Sequence, residues 1–238
     1  MNIAAAISGP TVGATELAIA GETALCDPRG VLFFPQASLL VVSDLHLEKG
    51  SSFARRGMLA PPYDTGSTLG MLDGVLRDYR PRIVVSLGDS FHDRQGAERL
   101  PAVYREALLD MLAGRDWYWI AGNHDPDVPH DLPGECVHEL SFGGLVFRHE
   151  PQAGSCEGEI AGHLHPGARI VRRGRSVRRP CFASDGRRLI MPAFGAYTGM
   201  LNIRDRAYAG LFAAESLVAY MMGRDRVYSI AGSALRAG

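Results

Sequence analysis

The sequence predicts an α/β (α+β) fold in which a buried sheet is flanked by helices. Short apolar runs with β-prone residues recur along the chain. In the first half they alternate with stretches of helical spacing, and after Gly122 they are separated by turns rich in glycine and proline. Because we find neither an internal repeat nor a linker, we expect residues 1–238 to form a single domain.

Seven strands and three helices are predicted from these patterns. Apolar, β-prone runs predict strands at Val31–Phe34, Leu39–Ser43, Arg82–Leu87, Trp117–Ala121, Leu145–Phe147, Glu159–Ala161 and Leu189–Met191. Helical spacing predicts helices at Thr65–Tyr79, Pro101–Ala113 and Ala207–Met222. In the first helix, Leu69, Leu72 and Leu76 fall on one face, which we expect to pack against the sheet.

The composition is typical of a water-soluble globular protein, with 46% hydrophobic and 21% charged residues. A formal net charge of -1 gives the whole molecule no bulk attraction to nucleic acid or to an anionic membrane. The four cysteines are too sparse for a disulfide framework, which favours a reducing cytoplasm. Met1–Ala20 lacks a basic leader, and Ala207–Met222 is shorter than the ~20 residues of a membrane span.

Five groups of polar residues suited to metal binding follow predicted strands. Each group alone is a weak signal, because Asp and Asn are common in turns and a single histidine is usually an ordinary polar residue. Together they indicate a site, since side chains at strand ends converge although they are far apart in sequence. The groups are Asp44-Leu45-His46, Gly88-Asp89-Ser90-Phe91-His92-Asp93, Gly122-Asn123-His124-Asp125, His149 and Gly162-His163-Leu164-His165.

The spacing within these groups indicates how they would hold metal. In Asp44-x-His46 and His163-x-His165, an extended chain would aim both side chains at one point. The two oxygens of Asp89 could bridge two metal ions, and these would lower the pKa of a bridging water to give hydroxide as the nucleophile. Mixed oxygen and nitrogen ligands favour Mn²⁺ or Fe over Ca²⁺ and also permit Zn²⁺.

The third group supplies further chemistry. Asn123 could complete a metal shell without adding charge. His124 could act as an acid or base near neutral pH, and Asp125 could orient its imidazole.

The order of these motifs from Asp44 to His165 resembles the calcineurin-like metallophosphoesterase superfamily. The resemblance implies a two-sheet β-sandwich flanked by helices, with the motifs on loops at one end of the strands. It also implies two metal sites that share Asp89, and it makes His124 the general acid with Asp125 as its partner. The implied ligands are Asp44, His46, Asp89 and His165 for one metal and Asp89, Asn123, His149 and His163 for the other.

A more specific resemblance extends through about Thr198, to the PdeM family of ligase-associated DNA damage response endonucleases. It implies a manganese-dependent phosphodiesterase that acts on single-stranded DNA in DNA repair, together with a DNA ligase and a helicase. The similar segments are Gly21–Gly30, Asp44–Gly57, Pro61–Thr65, Leu87–Asp93, Arg148–Pro151 and Gly162–Pro166.

Arginines supply the candidate contacts to a phosphate backbone. Arg55 and Arg56 could bind phosphates from a loop over the site or could lie on a solvated helix face, and Arg148 is a further candidate. The segment Arg169–Arg188 carries eight arginines with Asp185 as its only acid. It could follow a nucleic-acid backbone, and a solvated hairpin would look similar.

Two other functions share this sequence pattern. The same metal site would serve a phosphodiesterase for cyclic nucleotides or small nucleotide diesters, whose rate would be almost indifferent to moderate salt. A non-catalytic scaffold is disfavoured, because every metal position is filled and such clustered groups need a cation to offset them. A homodimer is compatible with a domain of this size.

Overall fold

The computed structural model describes residues 13–58, 63–126, 132–154 and 156–237. Two segments singled out in the sequence reach beyond these ranges. Residues 1–12 of the amino-terminal segment and Pro61 and Pro62 of the Pro61–Thr65 motif lie outside the described residues.

Two sheets carry the fold, which confirms the predicted α/β class with a two-sheet sandwich. The first sheet has seven strands, in the order β1 (Thr15–Ile19), β2 (Glu22–Cys26), β3 (Leu32–Phe34), β4 (Leu39–Val42), β5 (Ile83–Ser86), β6 (Asp116–Ile120) and β7 (Glu135–Val137). The second sheet has nine strands, which are β8 (Glu139–Phe142), β9 (Leu145–Arg148), β10 (Glu159–Ala161), β11 (Pro166–Arg172), β12 (Arg175–Ser184), β13 (Arg188–Ile190), β14 (Leu201–Asn202), β15 (Val218–Met222) and β16 (Val227–Ala231).

Three helices accompany the first sheet. They are α1 (Lys49–Arg55), α2 (Asp64–Tyr79) and α3 (Ala102–Leu112), and short 3₁₀ turns occur at Arg206–Tyr208 and Gly232–Ala234. None of the helices in the described part of the chain combines the length and apolar character that a membrane crossing requires.

The alternation along β4 places the core on both faces of the first sheet. Leu40 and Val42 pack with Leu72 of α2 and Leu108 of α3, whereas Val41 belongs to a second cluster shared with the other sheet. All four residues of β4 are fully buried, as expected for a strand that is covered on both faces. The sheets and helices therefore form layers around these two apolar clusters, and a third cluster in the described residues packs around Cys181 and Ala183 of β12.

Parallel strands of both sheets end beside the loops that carry the predicted metal-binding residues. In the first sheet β4, β5 and β6 are parallel neighbours, and in the second sheet β10 runs parallel to β9 and β13. Because carboxyl ends of parallel neighbours meet at one edge, the loops after these strands can converge.

The prediction of a helix at Ala207–Met222 is wrong. The chain there forms the 3₁₀ turn, an irregular segment and then strand β15, which pairs with β12 and β16. Gly210 has φ of 74°, which interrupts a helix, and burial alternates along β15 with a period of two. Pairing between two strands thus prevails over the helical spacing of the apolar residues.

Candidate metal centre

The metal-binding residues predicted from the sequence lie on loops at the ends of five strands. Asp44 and His46 follow β4, and Asp89 follows β5. Asn123 follows β6, His149 follows β9, and the pair His163 and His165 follows β10. The first sheet therefore contributes four of these residues and the second sheet three.

The backbone at these loops is not extended, contrary to the geometry assumed for the two Asp-x-His and His-x-His motifs. Five of the seven residues have left-handed φ values, a conformation that costs a non-glycine residue of order 1–3 kcal/mol. The surroundings hold it in place, for example through the Asp44 N–H, which donates to Gly88 O at 3.3 Å. The five are Asp44 (54°), His46 (45°), Asp89 (46°), His163 (67°) and His165 (45°).

Two glycines allow these loops to approach one another. A Cβ on Gly122 would lie 2.2 Å from the Asp89 nitrogen, and one on Gly162 would lie 2.0 Å from Ser43 Oγ. Contacts of this length are impossible for a side chain, so both positions require glycine for close packing of the loops.

The first ligand group consists of Asp44, His46 and His165. His165 Nε2 lies 3.1 Å from Asp44 Oδ1, and Asp44 is completely buried. Burial would raise the pKa of Asp44, but His165, His149 and the Ser43 hydroxyl together outweigh it and the net shift is downward. Burial lowers the pKa of His46 to about 3, so its imidazole is neutral and its lone pair is free to bind a cation.

The second group consists of Asp89, His149 and His163, with Asn123 beside them. Asn123 Oδ1 lies 2.9 Å from both His149 Nε2 and His163 Nδ1, and these two nitrogens are 3.2 Å apart. His149 Nδ1 donates to Leu87 O at 2.7 Å, which leaves Nε2 pointing into the group. Converging nitrogen and oxygen lone pairs at these distances suit a divalent cation.

Asp89 lies between the two groups. Its Oδ2 is 3.9 Å from His46 Nε2 and 3.5 Å from His149 Nε2. Burial opposes ionisation of this carboxyl, but His149, the His124 N–H and His46 together outweigh burial, and the pKa of Asp89 falls to about 2. The carboxylate is therefore charged and placed to serve both groups.

The buried donor set fits two divalent ions. In the described part of the chain, Asp44 Oδ1 is buried without a well-formed hydrogen bond, and the ligand nitrogen of His165 lies 3.1 Å from it. A cation between such atoms would offset the burial of charge, which is otherwise costly. The set of imidazole, carboxylate and amide groups is typical of Mn²⁺, Fe and Zn²⁺ sites.

His124 stands at the edge of the two groups with its side chain about two-fifths exposed. Its Nδ1 donates to the backbone oxygen of His92 at 2.9 Å, so Nε2 faces Asp89, with Oδ2 at 4.0 Å. The His92 ring stacks on the His124 ring at 5.2 Å between centroids. The contact is made by the His92 carbonyl rather than by its ring, and a carbonyl acceptor has no residue signature in a sequence.

The predicted pairing of Asp125 with His124 is replaced by a different contact. Asp125 is buried, and its Oδ2 accepts from the Phe91 N–H at 3.0 Å, whereas His92 O is the partner of the His124 ring. Burial, followed by the nearby charge of Asp89, raises the pKa of Asp125 to about 7. Asp125 thus holds the loop after Asp89 rather than the His124 imidazole.

Arg55 and Arg56 line a cleft beside His92. The cleft has a volume of about 580 Å³ and is bounded by Ser52, Arg55, Arg56, Asp93, Arg94 and Gln95. Arg56 is close enough to contribute to the lowered pKa of His92, after the larger effect of burial. Asp93 is already paired with Arg99 at 2.8 Å, so the cleft has an excess of positive charge.

Arg148 is occupied by carboxylates. Its Nη2 lies 2.6 Å from Glu139 Oε2 and its Nη1 lies 3.2 Å from Glu159 Oε1. Glu159 is completely buried and also pairs with the buried Arg188. This network, which the sequence did not reveal, anchors the strand before His149 and engages the Arg148 guanidinium with two carboxylates.

Comparisons with known proteins agree with this arrangement. Residues 37–178 match the family described as calcineurin-like phosphoesterase. The crystal structure of Pseudomonas putida nuclease MPE is similar, with 27% sequence identity, a TM-score of 0.70, and coverage of 91% of this chain and 100% of that chain. Among curated proteins no significant match was found.

Proposed function

Because this chain belongs to the calcineurin-like phosphoesterase family, and is therefore a metal-dependent hydrolase of phosphoester bonds, we propose that it is a phosphodiesterase that cuts single-stranded DNA internally. The observation that carries the proposal is the pair of ligand groups on either side of Asp89. The cleft beside His92, lined by Arg55, Arg56 and Arg94, adds a concentration of positive charge.

Two divalent ions, for which we propose Mn²⁺, would be held by the two ligand groups. Asp44, His46 and His165 would hold one, and Asn123, His149 and His163 the other, with Asp89 between them. Bound there, the ions would supply a nucleophile at neutral pH and would offset negative charge on the phosphate.

His124 would donate a proton to the departing sugar oxygen. The His92 carbonyl fixes Nδ1 as a donor, so a second proton on Nε2 would point toward the reacting phosphate. Arg55 and Arg56 would bind phosphate oxygens of the DNA from their cleft, because guanidinium groups pair bidentately with phosphate.

The substrate class is supported by the similarity to a protein described as a nuclease, which spans the whole of that chain. The resemblance of the Asp44–Gly57 run to the PdeM endonucleases supports single-stranded DNA and a role in DNA repair. On the same basis we propose a DNA ligase and a helicase as partners. The sparse cysteines support a cytoplasmic location, and the size of the domain supports a homodimer as the assembly.

Cleavage of a labelled single-stranded DNA circle tests the proposal. A circle has no ends, so its conversion to linear product by metal-stripped protein resupplied with Mn²⁺ requires internal cutting. We expect cutting by the wild type and by Asp110→Ala, which removes an exposed carboxylate on α3, and none by Asp89→Ala. An intact circle, with bis-p-nitrophenyl phosphate still hydrolysed, would move the assignment to small nucleotide diesters.

A further inference from the structure

Strands β11 and β12 form an arginine-rich hairpin next to the metal centre. Five of its arginines are exposed and one is half-buried. Arg169 faces Arg178 and Arg172 faces Arg175 directly across the two strands, an arrangement of like charges that is unfavourable by itself. We call the six the hairpin arginines: Arg169, Arg172, Arg173, Arg175, Arg178 and Arg179.

Neutral atoms are the partners that the structure provides for the hairpin arginines. Arg169 donates to Ser176 Oγ and to Ala237 O, and Arg178 donates to Met200 O. Among residues 13–58, 63–126, 132–154 and 156–237, none of the six forms an ion pair with a carboxylate. In a chain with 25 basic and 26 acidic residues, this hairpin is a local concentration of unbalanced positive charge.

The hairpin is continuous with the metal centre. Strand β11 begins at Pro166, directly after the ligand His165, and His165 O accepts from the Leu201 N–H at 2.9 Å. The loop before Leu201 reaches the other ligand loop, since the Gly195 N–H donates to Asp44 O at 3.1 Å. A chain lying across both ligand groups would therefore meet the hairpin next.

Tyr197 lies in that same loop and is 44% exposed. Its backbone oxygen accepts from Lys49 Nζ at 3.0 Å, and three residues later Met200 O accepts from Arg178. An exposed aromatic ring in a loop that two cationic side chains contact is a suitable platform for an unpaired base beside a phosphate backbone.

We propose that the hairpin arginines and Tyr197 form a second binding surface, which holds the single strand outside the bond that is cut. The arginines bind phosphates of the following nucleotides, and Tyr197 stacks on a base. The proposal rests on the function proposed above. Because strand β11 rises ~3.3 Å per residue, the hairpin tip lies farther from the metal centre than a Debye length of ~10 Å. The arginines at the tip therefore act through direct contact with the DNA.

Binding of a labelled oligothymidylate of about 20 nucleotides to the full chain tests this surface. The measurement uses the Asp89→Ala background to suppress cutting, and it compares the double variants Arg172→Ala/Arg175→Ala and Arg224→Ala/Arg226→Ala. Both remove two exposed arginines at the tip of a hairpin, but the second pair lies between β15 and β16, outside the proposed surface.

The salt dependence of binding separates the two variants. Each phosphate contact on a single strand contributes about -0.7 to the slope of log K against log salt, so loss of two contacts flattens the slope by about 1.4. We expect this change for Arg172→Ala/Arg175→Ala and the parent slope for Arg224→Ala/Arg226→Ala. Equal slopes for the two variants would overturn the proposal.

Tyr197 is tested in the same assay. Tyr197→Ala should weaken binding by about 5- to 150-fold, the range measured for loss of one stacked base, whereas Tyr197→Phe should bind like the parent. Equal affinities of the Ala and Phe variants would remove the stacking role.

Failure of the surface and failure of the nuclease proposal give different results. Hairpin-dependent binding without cutting of the DNA circle by the wild type would retain the surface and reject the nuclease. Cutting of the circle by the wild type, with binding that does not depend on the hairpin, would retain the nuclease and reject the surface.

Discussion

A left-handed backbone at Asp44, His46, Asp89, His163 and His165 determines how the ligand side chains meet. The identity of these residues could be predicted, because carboxylates and imidazoles recur after strands in a fixed order. Their conformation could not, since only glycine signals a positive φ in a sequence. The Asp-x-His and His-x-His pairs therefore converge through left-handed backbone, and the extended geometry predicted for them is wrong.

Replacing His124 with alanine should lower the rate of DNA cleavage by about 10²- to 10⁴-fold, the usual contribution of a general acid. The loss should be much smaller for bis-p-nitrophenyl phosphate, because nitrophenolate departs without a proton. Initial rates on both substrates, with metal content of the purified protein as the control, check this. Equal losses on both substrates would reject the role of proton donor.

At Asp27 a single carboxyl joins the first sheet to α2. Asp27 is buried, accepts from Arg29 Nη2 at 2.8 Å and from Tyr79 Oη at 2.7 Å, and so ties the end of β2 to the last turn of the helix. Burial by itself raises the pKa of Asp27, but the hydrogen bonds from Arg29 and Tyr79 outweigh it and lower the pKa below its ordinary value.

Asp27→Asn should therefore lower the free energy of unfolding by about 1.5–3 kcal/mol at pH 7. Because the folded pKa is depressed, this stabilisation is present above the unfolded pKa of about 3.9 and is lost as the pH falls through the folded value. Urea unfolding of both proteins at neutral pH and below pH 3 measures it. A difference that persists unchanged in acid would contradict the assignment.

Among the elements, the buried strands were predicted well and the exposed ones poorly. The runs at β4 and β5 are almost wholly apolar and buried on both faces, and they stand out in the sequence. The exposed hairpin of β11 and β12 is rich in arginine, and helix α1 has only seven residues, so neither carries an apolar pattern. Burial creates the signal that sequence reasoning uses.

The loops between elements are sensitive where backbone and side chain touch. Gly162→Ala would place a methyl group 2.7 Å from Asp44 Oδ2, so we expect weaker metal binding and loss of most hydrolytic activity. Gly74→Ala is the matched control, because a Cβ there meets nothing within 4 Å and should stabilise α2 by about 0.5–1 kcal/mol. Metal titration and urea unfolding of both variants test the contrast, and an active Gly162→Ala protein would contradict it.

For the whole molecule, the decisive feature is that each sheet supplies only part of each ligand group. Asp44 and His46 come from the first sheet and His165 from the second, and Asp89 is combined with His149 and His163 in the same way. Bound metal would therefore join the two sheets. The ligand residues could be predicted from the order of the motifs in the sequence. The Arg148–Glu159–Arg188 network could not be predicted, because burial of a charged residue leaves no pattern.

Metal binding should accordingly stabilise the whole fold. A ligand at 100 times its dissociation constant adds about 2.7 kcal/mol, which corresponds to a rise in Tm of roughly 5–10 °C for a chain of this size. Calorimetry of metal-stripped protein with and without Mn²⁺ measures the shift. Asp89→Ala should reduce it strongly, and an equal shift in that variant would place the bound ions elsewhere.

The division of the ligands between the sheets also sets the moment at which a newly made chain becomes active. On the ribosome the first four ligands, up to Asn123, emerge before His149, His163 and His165. A nascent chain that ends within the first sheet has neither ligand group complete, however well that sheet has folded. Hydrolysis is therefore delayed until the second sheet is made. A translation product that is interrupted before His163 is inactive.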